Sequence, residues 1–135
     1  MIQKQELRVG NFLYERPYSG CSVIYIVKQI KNRGVCVSPY GSDIEGEYSY
    51  EAMEPITITH EILEKIGFVL KKEGSYNCYI NDKGFVLCMW TEDYSIIGFE
   101  KKGVCYYGED YIEIRYLHHL QNLYFVITGK ELNIK

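Results

Sequence analysis

Tyr76-Asn77-Cys78-Tyr79-Ile80-Asn81-Asp82-Lys83-Gly84-Phe85-Val86-Leu87-Cys88-Met89-Trp90 decides the reading of the fold. Two apolar runs flank a polar turn that ends in glycine, the grammar of a β-hairpin. If Asn81 faces Phe85, then Ile80 faces Val86, Cys78 faces Cys88 and Tyr76 faces Trp90. Side chains alternate with period two, so these residues share one face, and that face is expected to be core. The other face carries Asn77, Tyr79, Leu87 and Met89 and is only partly polar. A strand pair of this kind is expected to be covered on both sides, with a helix on one. Facing thiols in a reducing compartment are expected to stay unpaired.

The same grammar recurs at Lys31-Asn32-Arg33-Gly34 and Glu100-Lys101-Lys102-Gly103. Three hairpins are therefore predicted. Each would place its glycine at the left-handed position of a bulge, where a Cβ would clash. Gly34-Val35-Cys36 and Gly103-Val104-Cys105 are identical, through an old duplication or through convergence of two short hairpins.

Working outward, residues 1–56 read as a small β unit. Glu6 to Tyr14 opens with a strand and a glycine-centred turn. Val23 to Val27 is a buried-type strand, Val35 to Val37 follows the first hairpin turn, and Tyr48 to Glu51 leads to Glu54-Pro55-Ile56. Short strands between turn signals suggest a partly open barrel of SH3-like type. The run Asp43, Glu45, Glu47, Glu51 and Glu54 lacks the spacing of a calcium loop and reads as a solvated acidic edge.

Residues 57–135 read as a second, α+β unit. Thr59 is a good helix cap, Glu61 suits the first turn, and Gly67-Phe68 supplies a stop. An antiparallel meander follows at roughly 68–73, 76–80, 85–90, 95–100, 103–107 and 111–115. Leu117, Leu120, Leu123, Tyr124 and Ile127 then recur at helical spacing before Gly129. This closing helix is expected to pack on the meander sheet. The fold class is thus α+β, in two units that could form one body.

Composition bounds the function. The 135 residues carry a net charge of -3, and 47% are hydrophobic. That is globular, and the acidity disfavours a nucleic-acid coat. No apolar run approaches the ~18 residues of a membrane span. The start shows no apolar signal segment, and the five cysteines include no CxxC. A reduced, cytoplasmic chain is expected, with no cofactor and no metal. Tyrosine is the outlier, with 14 residues. It suits strand packing, and it also suits an exposed recognition patch.

Glu6-Leu7-Arg8-Val9-Gly10-Asn11 near the start and Tyr116-Leu117-His118-His119-Leu120-Gln121-Asn122-Leu123-Tyr124-Phe125-Val126-Ile127-Thr128-Gly129-Lys130-Glu131-Leu132 near the end form a pair. With Pro55-Ile56-Thr57-Ile58-Thr59 between them, they resemble a family of short uncharacterised proteins of gut anaerobic bacteria and their phages. That family opens with E-L-R-x-G-N and closes with H-x-L-Q-N-L-Y-F-x-x-T-G-x-E-L. The resemblance implies a phage or mobile-element origin and no particular chemistry. His118 matches its motif, whereas His119 stands where glutamine is expected.

Candidate site residues follow. His118, Gln121, Asn122 and Tyr124 form a polar cluster on the closing helix, read either as a binding site or as structural hydrogen bonding. His118 and His119 point about 100° apart and cannot make a metal-binding face by themselves. The doublets Lys71-Lys72 and Lys101-Lys102 are possible phosphate contacts or solubilising turn residues. Cys105 lacks the helix N-terminus that lowers a thiol pKa. Glycine-rich phosphate loops and G-x-S-x-G are both missing from the sequence. The expectation is a non-enzymatic accessory protein that binds another protein. The alternatives are a nucleic-acid module using tyrosines and lysine doublets, and a small enzyme or ligand-binding domain around His118.

Overall fold

A computed structural model describes residues 2–16, 23–74, 76–90, 96–101, 104–107 and 114–134, of which 76, 90, 96–101 and 104–107 are described by their backbone. The chain divides into two units. One comprises Met1–Thr57 with Tyr116–Glu131, the other Ile58–Arg115 with Leu132–Lys135.

In the first unit, β1 (Phe12–Glu15), β2 (Ile24–Ile30), β3 (Gly34–Pro39), β4 (Gly46–Ser49) and β5 (Met53–Glu54) make one antiparallel sheet. Its order is β4-β3-β2-β1-β5, and the sheet curls into a half-barrel. A 3-10 turn, Tyr50–Ala52, carries the chain from β4 back to β1. There β5 pairs through Tyr14 with Glu54 and Glu15 with Met53. A short last strand thus returns to the first through a 3-10 turn, and its two-residue pairing leaves the half-barrel partly open. Alternation fills the concave side: Leu13, Val27, Val35, Val37 and Met53 are all buried.

Helix α2 (Leu117–Thr128) belongs to this unit. A bridge between Thr57 and Tyr116 and a bond from Leu117 N–H to the Ile56 carbonyl (2.8 Å) tie its start to the chain that leaves β5. The expected division at residue 56 assigned this helix to the meander instead. The reason lies in its buried stripe, which is Leu117, His118, Leu120, Gln121 and Tyr124. Leu123 and Ile127, expected on that stripe, are half-buried. Buried polar side chains need partners, and Gln121 finds its partners at Gly10 and Phe12, in the first unit.

The second unit holds α1 (His60–Lys65) and β6 (Val69–Lys72), β7 (Tyr76–Ile80), β8 (Val86–Trp90), β9 (Ile96–Lys101) and β10 (Val104–Tyr107), in the sheet order β10-β9-β8-β7-β6. Helix α1 is punctuated as expected. Thr59 Oγ1 accepts from Ile62 N–H at 3.2 Å. Gly67 takes φ +93°, and Phe68 N–H bonds the Leu63 carbonyl at 2.9 Å.

The deciding hairpin has its expected register, with Tyr76 opposite Trp90, Cys78 opposite Cys88 and Ile80 opposite Val86. Asn81 Oδ1 accepts from Lys83 N–H and Phe85 N–H, and Gly84 takes φ +79°. The expected face is buried at Asn81, Phe85, Val86 and Cys88, with Cys78 and Ile80 half-buried. The opposite face, with Tyr79, Leu87 and Met89, is buried more deeply. Strand β8 is buried on both faces, so alternation along it could not rank them. The Cys78 and Cys88 sulfurs lie 3.5 Å apart as free thiols.

Gly34 is a second correction. It does not take positive φ. A Cβ there would meet the Tyr48 carbonyl oxygen at 2.5 Å, so glycine is needed for close strand approach rather than for a left-handed turn. Gly103 and the expected strand residues 111–113 lie outside the described residues.

Candidate functional site

Two stretches of sequence far apart in the chain meet in the first unit. Asn11 and Gln121 are fully buried polar side chains, and both are satisfied. Asn11 Oδ1 accepts from Arg8 N–H at 2.8 Å, closing the turn around Gly10. Gly10 takes φ +99° there, so glycine is required. Asn11 Nδ2 donates to Asn122 Oδ1 at 2.8 Å. Asn122 Nδ2 donates to the Glu6 carbonyl at 2.9 Å. Gln121 Oε1 accepts from Phe12 N–H at 2.8 Å, and its Nε2 donates to the Gly10 carbonyl at 3.1 Å. The side chain of Gln121 therefore stands in for a strand partner at the start of β1.

Arg8 completes the joint. Its guanidinium forks onto both oxygens of Glu131, donates through Nε to Asn122 Oδ1 at 3.3 Å, and lies 4.3 Å over the Phe125 ring. A planar, forked cation suits carboxylate and ring together, and lysine would not replace it. Glu6, Arg8, Asn11 and Glu131 were not singled out by sequence reasoning. The signal was their membership of the two terminal motifs, which were read as a pair in sequence but not as contacts in space.

Beside this joint sits a second group. Glu6, at the end of the 3-10 turn Lys4–Glu6, faces both histidines. Its Oε1 is 3.4 Å from His118 Nε2, and its Oε2 is 3.4 Å from His119 Nε2. The two imidazole centroids are 4.2 Å apart, with the Tyr116 ring stacked 6.0 Å from His118. His118 is fully buried, and neither ring nitrogen has a hydrogen-bond partner among the described residues. Burial and the neighbouring His119 push its pKa down to about 4, against the opposing pull of Glu6. Burial alone would raise the Glu6 carboxyl, but the Gln3 N–H and the imidazoles outweigh it and hold the pKa below the usual range. The imidazole of His118 is thus neutral at pH 7.

The other expected residues are elsewhere. Tyr124 is buried. Lys71 and Lys72 are exposed on β6, an edge strand. Lys102 and the side chain of Lys101 lie outside the described residues, as does the side chain of Cys105. Among the described tyrosines, only Tyr40 and Tyr116 are well exposed, and Tyr25 packs edge-on against Tyr48 at 5.9 Å. Strand packing, the first of the two readings of tyrosine, fits these residues better than a recognition patch. In the second unit, His60 Nδ1 lies 3.0 Å from the Tyr79 hydroxyl, an anchor of α1 on the sheet that the sequence did not suggest.

A cleft of about 270 Å³ opens beside the end of β1, lined by Glu15, Arg16, Ser49, Glu51 and Ala52. The Tyr25 hydroxyl donates to Glu15 Oε2 at 2.9 Å and steadies that carboxylate. Arg16 Nε lies 3.3 Å from Glu54 Oε1.

No family model, no curated protein and no solved structure matches the chain. No helix among the described residues is long and apolar enough to cross a membrane.

Proposed function

We propose that this chain is a non-enzymatic accessory protein, of the phage or mobile-element type its terminal motifs resemble, that acts in the cytoplasm by binding another protein. One observation carries the reading, the cleft between the end of β1 and the 3-10 turn before β5. Among the described residues the carboxylates Glu15 and Glu51 line it, and the cation Arg16 is already paired with Glu54. The volume, at about 270 Å³, falls below the usual range for a cofactor or drug-sized ligand and suits a single side chain. A lysine or arginine of a partner's extended segment is the matching chemistry. Each exposed charge pair contributes only about 0–1 kcal/mol, so selectivity must come from shape and neighbouring contacts.

The test is affinity capture from host lysate, run with and without nuclease, with wild type and a Glu15→Gln/Glu51→Gln double variant side by side. A discrete protein retained by wild type and lost by the variant supports the reading. Equal retention by both moves the binding surface away from the cleft. Retention that vanishes with nuclease replaces the protein partner with nucleic acid.

A further inference from the structure

We infer that Glu6, His118 and His119 form a binding site for one divalent transition-metal ion of the zinc class. Their ligand atoms all lie within 4.8 Å of one another. Bonds of about 2.0–2.1 Å in a tetrahedral site set ligand atoms about 3.3 Å apart. Each histidine Nε2 is 3.4 Å from a Glu6 oxygen. The spacing is thus already that of a coordination edge.

Geometry alone would not suffice, because a carboxylate beside two imidazoles is also a common surface arrangement. The second observation is the state of His118. Its side chain is wholly buried and aimed at Glu6, yet neither nitrogen makes a hydrogen bond among the described residues. A buried polar group left unsatisfied is destabilising. A metal ion would satisfy the Nε2 lone pair. Two nitrogens and a carboxylate suit zinc and its neighbours better than calcium or magnesium, which prefer oxygen.

The support around the site is specific. Gln3 N–H donates to Glu6 Oε1 at 3.2 Å, and Asn122 Nδ2 holds the Glu6 carbonyl. The first bond holds the carboxylate and the second holds the backbone that carries it, the kind of support that orients metal ligands. Glu6 and His119 are each about one-third exposed, at 31% and 35%, so water has access to the remaining coordination position. The isolated pair His118-His119 could not provide this face. Glu6, arriving from 112 residues earlier in the sequence, turns it into a three-ligand set.

The test uses the untagged, reduced full chain, titrated with zinc by calorimetry and with cobalt(II) by absorption. Expected is saturable binding of one ion per chain. The cobalt spectrum should show nitrogen and oxygen ligands and no thiolate charge-transfer band. His119→Gln and Glu6→Gln should each weaken binding about tenfold or more with unchanged far-UV circular dichroism. His119 is part-exposed, so that variant keeps the test valid if Glu6→Gln fails to fold. Absence of saturable binding, a thiolate band, or binding unchanged by both substitutions overturns the site.

Discussion

Asn11 Nδ2 donates a 2.8 Å hydrogen bond to Asn122 Oδ1, joining residues 111 positions apart. Around this bond the opening and closing motifs of the sequence become one polar joint. Arg8, Gln121 and Glu131 are its other members. The joint fixes α2 to the half-barrel at the entry to β1, and it sets Glu6 against the two histidines. The features of the sequence that looked most like a site therefore spend much of their hydrogen bonding inside the chain.

Gln121→Ala should be among the most damaging single changes in the first unit. It strips the partner from Phe12 N–H and the donor from the Gly10 carbonyl. Two such losses at a fully buried residue amount to about 2–5 kcal/mol. Urea unfolding followed by circular dichroism checks this. A change under about 1 kcal/mol would show that water replaces the amide and that the joint is not dry.

Arg8→Lys should destabilise even though it keeps the charge. The fork onto Glu131, the Nε bond to Asn122 and the stacking on Phe125 all need a guanidinium. A loss of about 1–2 kcal/mol is expected by the same unfolding assay, with Arg8→Ala only modestly worse.

Gly34→Ala and Gly84→Ala should differ for reasons of geometry. At Gly34 the new methyl meets the backbone oxygen of Tyr48 at 2.5 Å, which a neighbouring strand cannot easily yield. At Gly84 nothing lies within 4 Å, and only the positive φ costs, about 1 kcal/mol. Thermal melts should rank Gly34→Ala clearly below Gly84→Ala. The reverse order would place the strain at the turn.

Alkaline pH should reveal Tyr25. Its hydroxyl is bonded to Glu15 and buried, which pushes its pKa up to about 12 from 10.0. The neutral form is favoured by folding, so this contribution is fully present below pH 10 and is lost as pH rises through about 12. The difference in stability between wild type and Tyr25→Phe should narrow over that window. A constant difference across pH 9–12 would contradict the raised pKa.

Much of the local structure was legible in the sequence. The Thr59 cap, the Gly67 and Gly129 stops and the Cys78–Cys88 register depend on residues within a few positions of one another. What escaped was non-local or ambiguous in kind. Strand β8 is apolar on both faces, so sequence alternation could not say that Tyr79 and Leu87 face the deeper core. Gly34 looks like any turn glycine, because close approach and positive φ demand the same residue. The placement of α2 rests on Gln121 and Asn122 meeting Phe12 and Asn11. Nothing in the 3.6-residue period names a partner more than a hundred residues away.

The central claim is that the two motifs are one cooperative joint. A double-mutant cycle of Asn11→Ala and Asn122→Ala, with stabilities from urea unfolding, tests it most directly. A favourable coupling of about 0.5–3 kcal/mol is expected for directly bonded partners, one buried and one half-buried. Coupling indistinguishable from zero would mean that the two ends of the chain are stabilised independently, and the joint would not exist in solution.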